Sequence, residues 1–466
     1  MASYDDLDSL IVALKIARIS AWMKSEGWIG HASYGWFRLR VAGTTGYQEE
    51  VTGTDSNGEG GGKYSISNVD EDHIHDYIDA FNDIRSAVDE HLSPWRTLPD
   101  PEVIQKWIEP MRLAISEIAI SAVDKDGGPT GGGEVVGAIE LAMTAAKEWA
   151  GHTAAAFKLN FLSQLSTAVG GQYALCLCLG GHLEAQKGIW TEARQAVADI
   201  VVETTKAYDA VTYDSGLSWG LVFKVLGYAA AGAAIFATGG AVIPVAVAGL
   251  GVTVASDAYE AVKTETAAPS VSYDSVRDAM PGYFTKLNGD IVKEERAIQT
   301  NLNHNLNIVL NNKSTFDLSR PALLDVDDDS DLSSDNIFYR DQEVRDMCST
   351  YLPAVAGHLF KASQHVSDSY VGSIFSDFNR GPGIGIDSNG PMEEWDNIWL
   401  ITRDLLEDLG EETKASATTL DLAMSDIGKQ DTGALDALEK HAKASKEIGK
   451  GDHFPLFWGD HRDPDA

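Results

Sequence analysis

The chain has 466 residues, 44% of them apolar and 23% charged, a balance that supports a sizeable core and excludes wholesale disorder. Its 36 basic against 70 acidic residues leave a formal charge of -34, which repels phosphate backbones and anionic surfaces at long range and sets nucleic acid aside as a partner. The three cysteines, Cys176, Cys178 and Cys348, imply no disulfide framework and read as small buried hydrophobes.

The opening "MASYDDLDSL" has no basic region ahead of an apolar stretch, so no cleaved secretory signal peptide is expected. From Asp5 to about Lys24, Leu7, Leu10, Ile11, Leu14, Ile16 and Ile19 draw a rough helical stripe that Gly27 and Gly30 end. "WFRLRVAG" then alternates in the manner of a strand, and "KYSISN" follows after a glycine-rich acidic loop, which together predict a two-stranded hairpin.

Asp100, Pro101 and Glu102 open a helix with capping, first-turn and dipole preferences satisfied, and Trp107, Met111, Ile115 and Ile118 supply its apolar face. The run "GGPTGGG" reads as a flexible break. Val135, Ile139, Ala142, Ala146 and Trp149 then form one stripe on a helix ending at Gly151. The stripe resumes with Ala154, Phe157, Phe161 and Leu165, and after a glycine-containing stretch with Ile189, Ala193, Val197, Ile200, Thr204 and Ala207. This spacing predicts an antiparallel helical pair with Trp149 packing its tip and Gly151 letting the backbone reverse.

Trp149-Ala150-Gly151, with Ala154, Ala155 and Phe157 behind it, resembles the Trp-x-Gly turn of WXG-type helical hairpins, the substrates of type VII (ESX) secretion. The resemblance implies a secreted helical protein in which Trp149, Gly151 and Phe157 carry a turn and export motif, half of a two-part signal. The other half in that family is a Tyr-x-x-x-Asp/Glu past a helix end. Here Tyr208 has Thr212 four residues on instead of an acid, while Tyr4 with Asp8 and Tyr339 with Glu343 fit the spacing.

From Val225 to Ser256 no residue is charged. The length suits a bilayer span, yet Gly239, Gly240 and Pro244 divide it into two short pieces. It reads as a small-residue hairpin packed on other helices. The alternative is membrane insertion through Gly232, Phe236, Gly239, Gly240, Pro244 and Gly249, and the resemblance extends to LXG-type toxins with a comparable segment.

Leu287, Ile291, Ile298, Leu302 and Val309 predict a long amphipathic helix over 273–311. "DVDDDSDLSSDN" reads as a solvated linker; Asp325, Asp327 and Asp329 open like a calcium loop but lack its glycine and terminal glutamate. Leu352, Val355, Leu359, Ala362 and Val366, then Trp395, Ile398, Thr402, Leu405, Leu409, Ser416, Ala423 and Ile427, predict a second antiparallel pair across the loop "NRGPGIGIDSNGP", read as a turn. His73, His75, His453 and His461 lack zinc spacing and read as exposed.

These patterns predict an all-α fold, an elongated bundle of antiparallel helical hairpins with a minor N-terminal β-hairpin. The divisions are an N-terminal helix and hairpin at 1–98, a WXG-like hairpin at 99–215, an Ala/Gly-rich hairpin at 216–264, a long helix and acidic linker at 265–340, a second hairpin at 341–450 and a tail at 451–466. With no elbow, zincin or phosphate-loop motif, the expectation is a non-enzymatic protein with no catalytic residues, no cofactor and no metal. It is secreted without a cleaved signal peptide or cytoplasmic before export. Its expected partners are the type VII machinery or a WXG-like helical partner; self-association and membrane contact are the alternatives, the latter as a membrane-active toxin or pore former.

Overall fold

The computed structural model describes residues 2–31, 35–42, 45–66, 75–120, 122–123, 129–131, 133–147, 149, 154, 157–211, 272–318, 341–370 and 374–427. Most are helical, with a small four-stranded antiparallel sheet near the N-terminus.

Helix α1 (Leu7–Ser25) ends at Gly27, whose φ of 80° only glycine adopts easily. The sheet that follows, β1 (Ile29–His31), β2 (Gly35–Ala42), β3 (Thr45–Val51) and β4 (Tyr64–Ile66), is larger than the predicted hairpin. The partner of "WFRLRVAG" is Thr45–Val51, with Arg38 opposite Glu49, and the glycine loop comes after it. Across this pair Arg38 reaches Glu49 at 3.8 Å, and its guanidinium lies 4.4 Å over the Trp28 ring. "GGPTGGG" is also corrected, since β6 (Pro129–Gly131) pairs with β5 (Ala122–Val123).

Helix α2 (His75–Leu92) was not predicted, although Phe81, Ile84, Val88 and Leu92 are buried at helical spacing. It runs antiparallel to α1, with Trp22 edge-on to Phe81 and Lys15 on Asp89 at 2.6 Å. Helix α3 (Pro101–Glu117) starts where predicted, and the Asp100 side chain accepts from Glu102 N at 3.0 Å. The next helix, α4, is Glu134–Lys147.

Helix α5 (Ser163–Asp209) has 47 residues, about 70 Å at 1.5 Å per residue. The glycine-containing stretch does not interrupt it: Gly170, Gly171, Gly180 and Gly181 are buried inside. A Cβ on Gly171 would lie 2.6 Å from Thr315 O and 2.8 Å from the Phe316 ring, so the missing side chain admits a neighbouring backbone. Helix α6 (Tyr273–Asn311) opens on a capping box between Ser272 and Ser275, over the predicted span. Short α7 (Asp341–Asp346) leads through a widened turn, Met347–Tyr351, into α8 (Leu352–Asp368), and α9 (Ile374–Asp377) and a loop lead to α10 (Met392–Ile427).

Contacts give the directions. Against α5, Arg112 meets Glu184 and Asp100 meets Arg194, so α3 is antiparallel. Asn305 meets Cys178 while Tyr273 meets Tyr208, so α6 is antiparallel too. Trp395 Nε1 donates to Leu179 O and Gln172 to Leu405 O, which makes α10 a third such neighbour. Helices α8 and α10 pair along their length: Trp399 Nε1 donates to Val366 O at 2.7 Å and Ser363 Oγ to Arg403 O at 3.2 Å. One cluster of buried apolar side chains runs from Leu7 in α1 to Met424 in α10, and the middle of α5, residues 168–190, has no exposed residue, with helices α1, α3, α6 and α10 packed on it. A smaller cluster of Ile19, Met23, Trp28, Val51, Phe81 and Ile84 joins the sheet to α1 and α2.

Candidate functional site

The predicted stripe of α4 is buried as read, and Val135, Ile139, Ala142 and Ala146 lead to Trp149, which is 4% exposed. The Trp149 ring lies 5.7 Å from that of Phe157, which stacks on Phe161 at 5.0 Å. Lys158 Nζ donates to Trp149 O at 2.6 Å and to Lys147 O at 3.1 Å. It satisfies carbonyls that the end of α4 leaves without intrahelical partners. Burial pulls the Lys158 ammonium pKa below its ordinary value.

In a straight helix Lys147 and Lys158 would stand about 16 Å apart, far beyond a lysine's reach. Lys147 and Lys158 therefore do not lie on one straight helix, and Phe157 starts a widened helical turn, Phe157–Leu162, leading into α5. Gly151 lies outside the described residues.

The pairing beyond the turn differs from the prediction. Helix α4 packs on α8, α7, Met347–Tyr351 and Phe157–Leu162, whereas the body of α5 packs on α1, α3, α6 and α10. The Trp149 corner is thus where the chain leaves one neighbourhood for another. Periodicity shows which face is apolar and not which surface covers it.

The tyrosines that fit or approach the second half of the export pattern are engaged. Tyr4 Oη donates to Trp95 O at 2.6 Å and accepts from Leu98 N, and desolvation raises its pKa to about 12. Tyr208 is wholly buried. Tyr339, His73, His453, His461, Asp325, Asp327 and Asp329 lie outside the described residues, as do Gly232, Phe236, Gly239, Gly240, Pro244 and Gly249. Among the described residues no helix is long and apolar enough to cross a membrane.

The loop read as a plain turn hides a buried charge. Arg380 places Nη1 2.5 Å from Glu295 Oε1 and Nη2 2.9 Å from Oε2, and its Nε donates to Asp387 O at 2.8 Å. Its guanidinium also lies 4.8 Å over the Trp190 ring. Ile386 N donates to Glu295 Oε2 at 3.0 Å, and Asn288 bonds Gly383 O and Gly385 N. Gly385 and Gly390 take φ of 72° and 65°, and a Cβ on Gly390 would lie 2.6 Å from Glu295 Oε1. With the fork of the guanidinium filled, the group clamps loop to helix and has little left to offer a substrate. A single arginine in a glycine-rich loop was the signal for it; its partner 85 residues away was not readable.

The remaining nucleophile candidates are quiet. Desolvation pushes the Cys178 thiol up to about 12 and the His182 imidazole down to about 4, so neither ionises near neutrality and no thiolate forms between them. Cys176 and Cys348 are buried and free. One set of described residues has the geometry to hold a metal, Asp317, Asp408 and Glu412, whose ligand atoms all lie within 4.8 Å of one another. The Asp408/Glu412 spacing is legible in the sequence of α10, whereas the approach of Asp317 is not. The chain matches no family model, no curated protein and no solved structure.

Proposed function

We propose that the protein is a non-enzymatic helical protein exported in the manner of type VII substrates, an elongated bundle of antiparallel helical hairpins that acts by packing with itself or with a helical partner. The observation that carries this reading is the Trp149 corner, a buried indole with Phe157 against it and Lys158 closing the end of α4. Beside the corner in sequence, Leu141, Met143 and Leu159 are 51%, 47% and 69% exposed, apolar surface suited to a partner helix.

Export is the direct test. In a host with type VII machinery, a Gly151→Val variant with an unchanged melting curve is expected to stay inside the cell. Normal secretion of that variant refutes the signal role. The second reading, a membrane-active toxin or pore former, rests on the uncharged run 225–256. Dye release from anionic and neutral vesicles across pH separates the two, because a packing protein releases none.

A further inference from the structure

We propose that Asp317, Asp408 and Glu412, with the carboxamide oxygen of Gln172, form a site for a hard divalent cation of the calcium, magnesium or manganese class. Two segments bring the carboxylates together: the turn after α6 supplies Asp317, and α10 supplies Asp408 and Glu412 one turn apart on a single face.

Three carboxylate oxygens within 4.8 Å of one another suit the shell of a divalent ion, which draws its ligands from carboxylate and amide oxygens. Asp317 and Glu412 are 5% and 4% exposed, while Asp408 is half-buried and leaves a way in from solvent.

Two neighbours outside the carboxylate set point the same way. Gln172 is wholly buried and spends its nitrogen on Phe316 O and Leu405 O, both at 2.9 Å. Those carbonyls belong to the residue before Asp317 and to the turn of α10 before Asp408, so the carboxamide is wedged at the junction of the ligand-bearing segments. Its oxygen is buried with no hydrogen-bond partner. Ser416, one turn beyond Glu412, is 2% exposed and its hydroxyl is likewise unpartnered. Helical side chains lean toward the N-terminus, so Ser416 leans back toward Glu412. Carboxylate and amide oxygens without thiolate or imidazole suit a hard ion.

The test uses the full chain, freed of metal with EDTA and titrated with calcium, magnesium and manganese chlorides by calorimetry and thermal unfolding. The expected result is one equivalent bound and a raised melting temperature with at least one of the three ions. Asp408→Asn is expected to weaken that binding by roughly tenfold or more, since it removes a charged ligand. Glu412→Gln serves as the second variant, and Asp79→Asn on the exposed side of α2 is expected to change nothing. The proposal is overturned if no ion binds at one equivalent, or if Asp408→Asn and Glu412→Gln both bind as tightly as the parent chain.

Discussion

Arg380 and Glu295 form a bidentate ion pair in which both side chains are fully withdrawn from solvent. Burial pushes the Glu295 carboxyl up, while the guanidinium and the Ile386 N–H pull it back. Removing one partner strands the other charge, so Arg380→Met is expected to cost about 3 to 5 kcal/mol in urea unfolding. Changing both, Arg380→Met with Glu295→Met, should recover most of that loss, because no lone charge remains. An equal loss in the double variant would mean that the loop is held by other contacts.

Trp149→Ala is expected to destabilise by roughly 3 to 5 kcal/mol, the usual loss for a buried aromatic truncated to alanine. Lys158→Met leaves the carbonyls of Lys147 and Trp149 without their donor and should cost about 1 to 3 kcal/mol. Circular dichroism melts read both, and an unchanged curve for Trp149→Ala contradicts the corner described here.

His182 donates from Nδ1 to Cys178 O at 2.6 Å and stays neutral, with its pKa lowered to about 4 by burial. The unfolded imidazole takes up a proton near 6.5. Stability from this group is therefore complete above pH 6.5 and falls as pH drops toward 4, by an amount on the order of 3 kcal/mol. Denaturant midpoints measured across that window should lose this part of their slope in His182→Asn. An identical pH profile for parent and variant would assign the acid sensitivity elsewhere.

Two helical glycines make opposite predictions. A Cβ on Gly171 meets the Thr315 carbonyl and the Phe316 ring, so Gly171→Ala should destabilise by about 1 to 3 kcal/mol. Nothing lies within 4 Å of a Cβ on Gly289, in α6, and Gly289→Ala should stabilise by about 0.5 to 1 kcal/mol. Thermal melts of the two variants should move in opposite directions.

Local chemistry was legible in the chain itself. The Asp100-Pro101 start of α3, the span of α6 and the stripe of α10 all follow from nearest-neighbour propensities and from the 3.6-residue period, which need no knowledge of the rest of the molecule. The same holds for the burial of Trp149 at the end of the α4 stripe. Helix α2 had a readable face in Phe81, Ile84, Val88 and Leu92, spaced at the helical period.

What only the tertiary structure decided is which surfaces meet. Glycines 170, 171, 180 and 181 look like breaks along the chain, yet all are buried inside one helix, and at Gly171 the missing side chain admits Thr315 and Phe316 from a distant segment. Arg380 looks like a loop charge until Glu295 is placed against it from α6, and Asp317 becomes a neighbour of Asp408 and Glu412 only when the turn after α6 crosses α10. The physical reason is the same in each case: periodicity records that a side chain is buried, while the partner that buries it is chosen by packing between segments whose separation in sequence leaves no local trace.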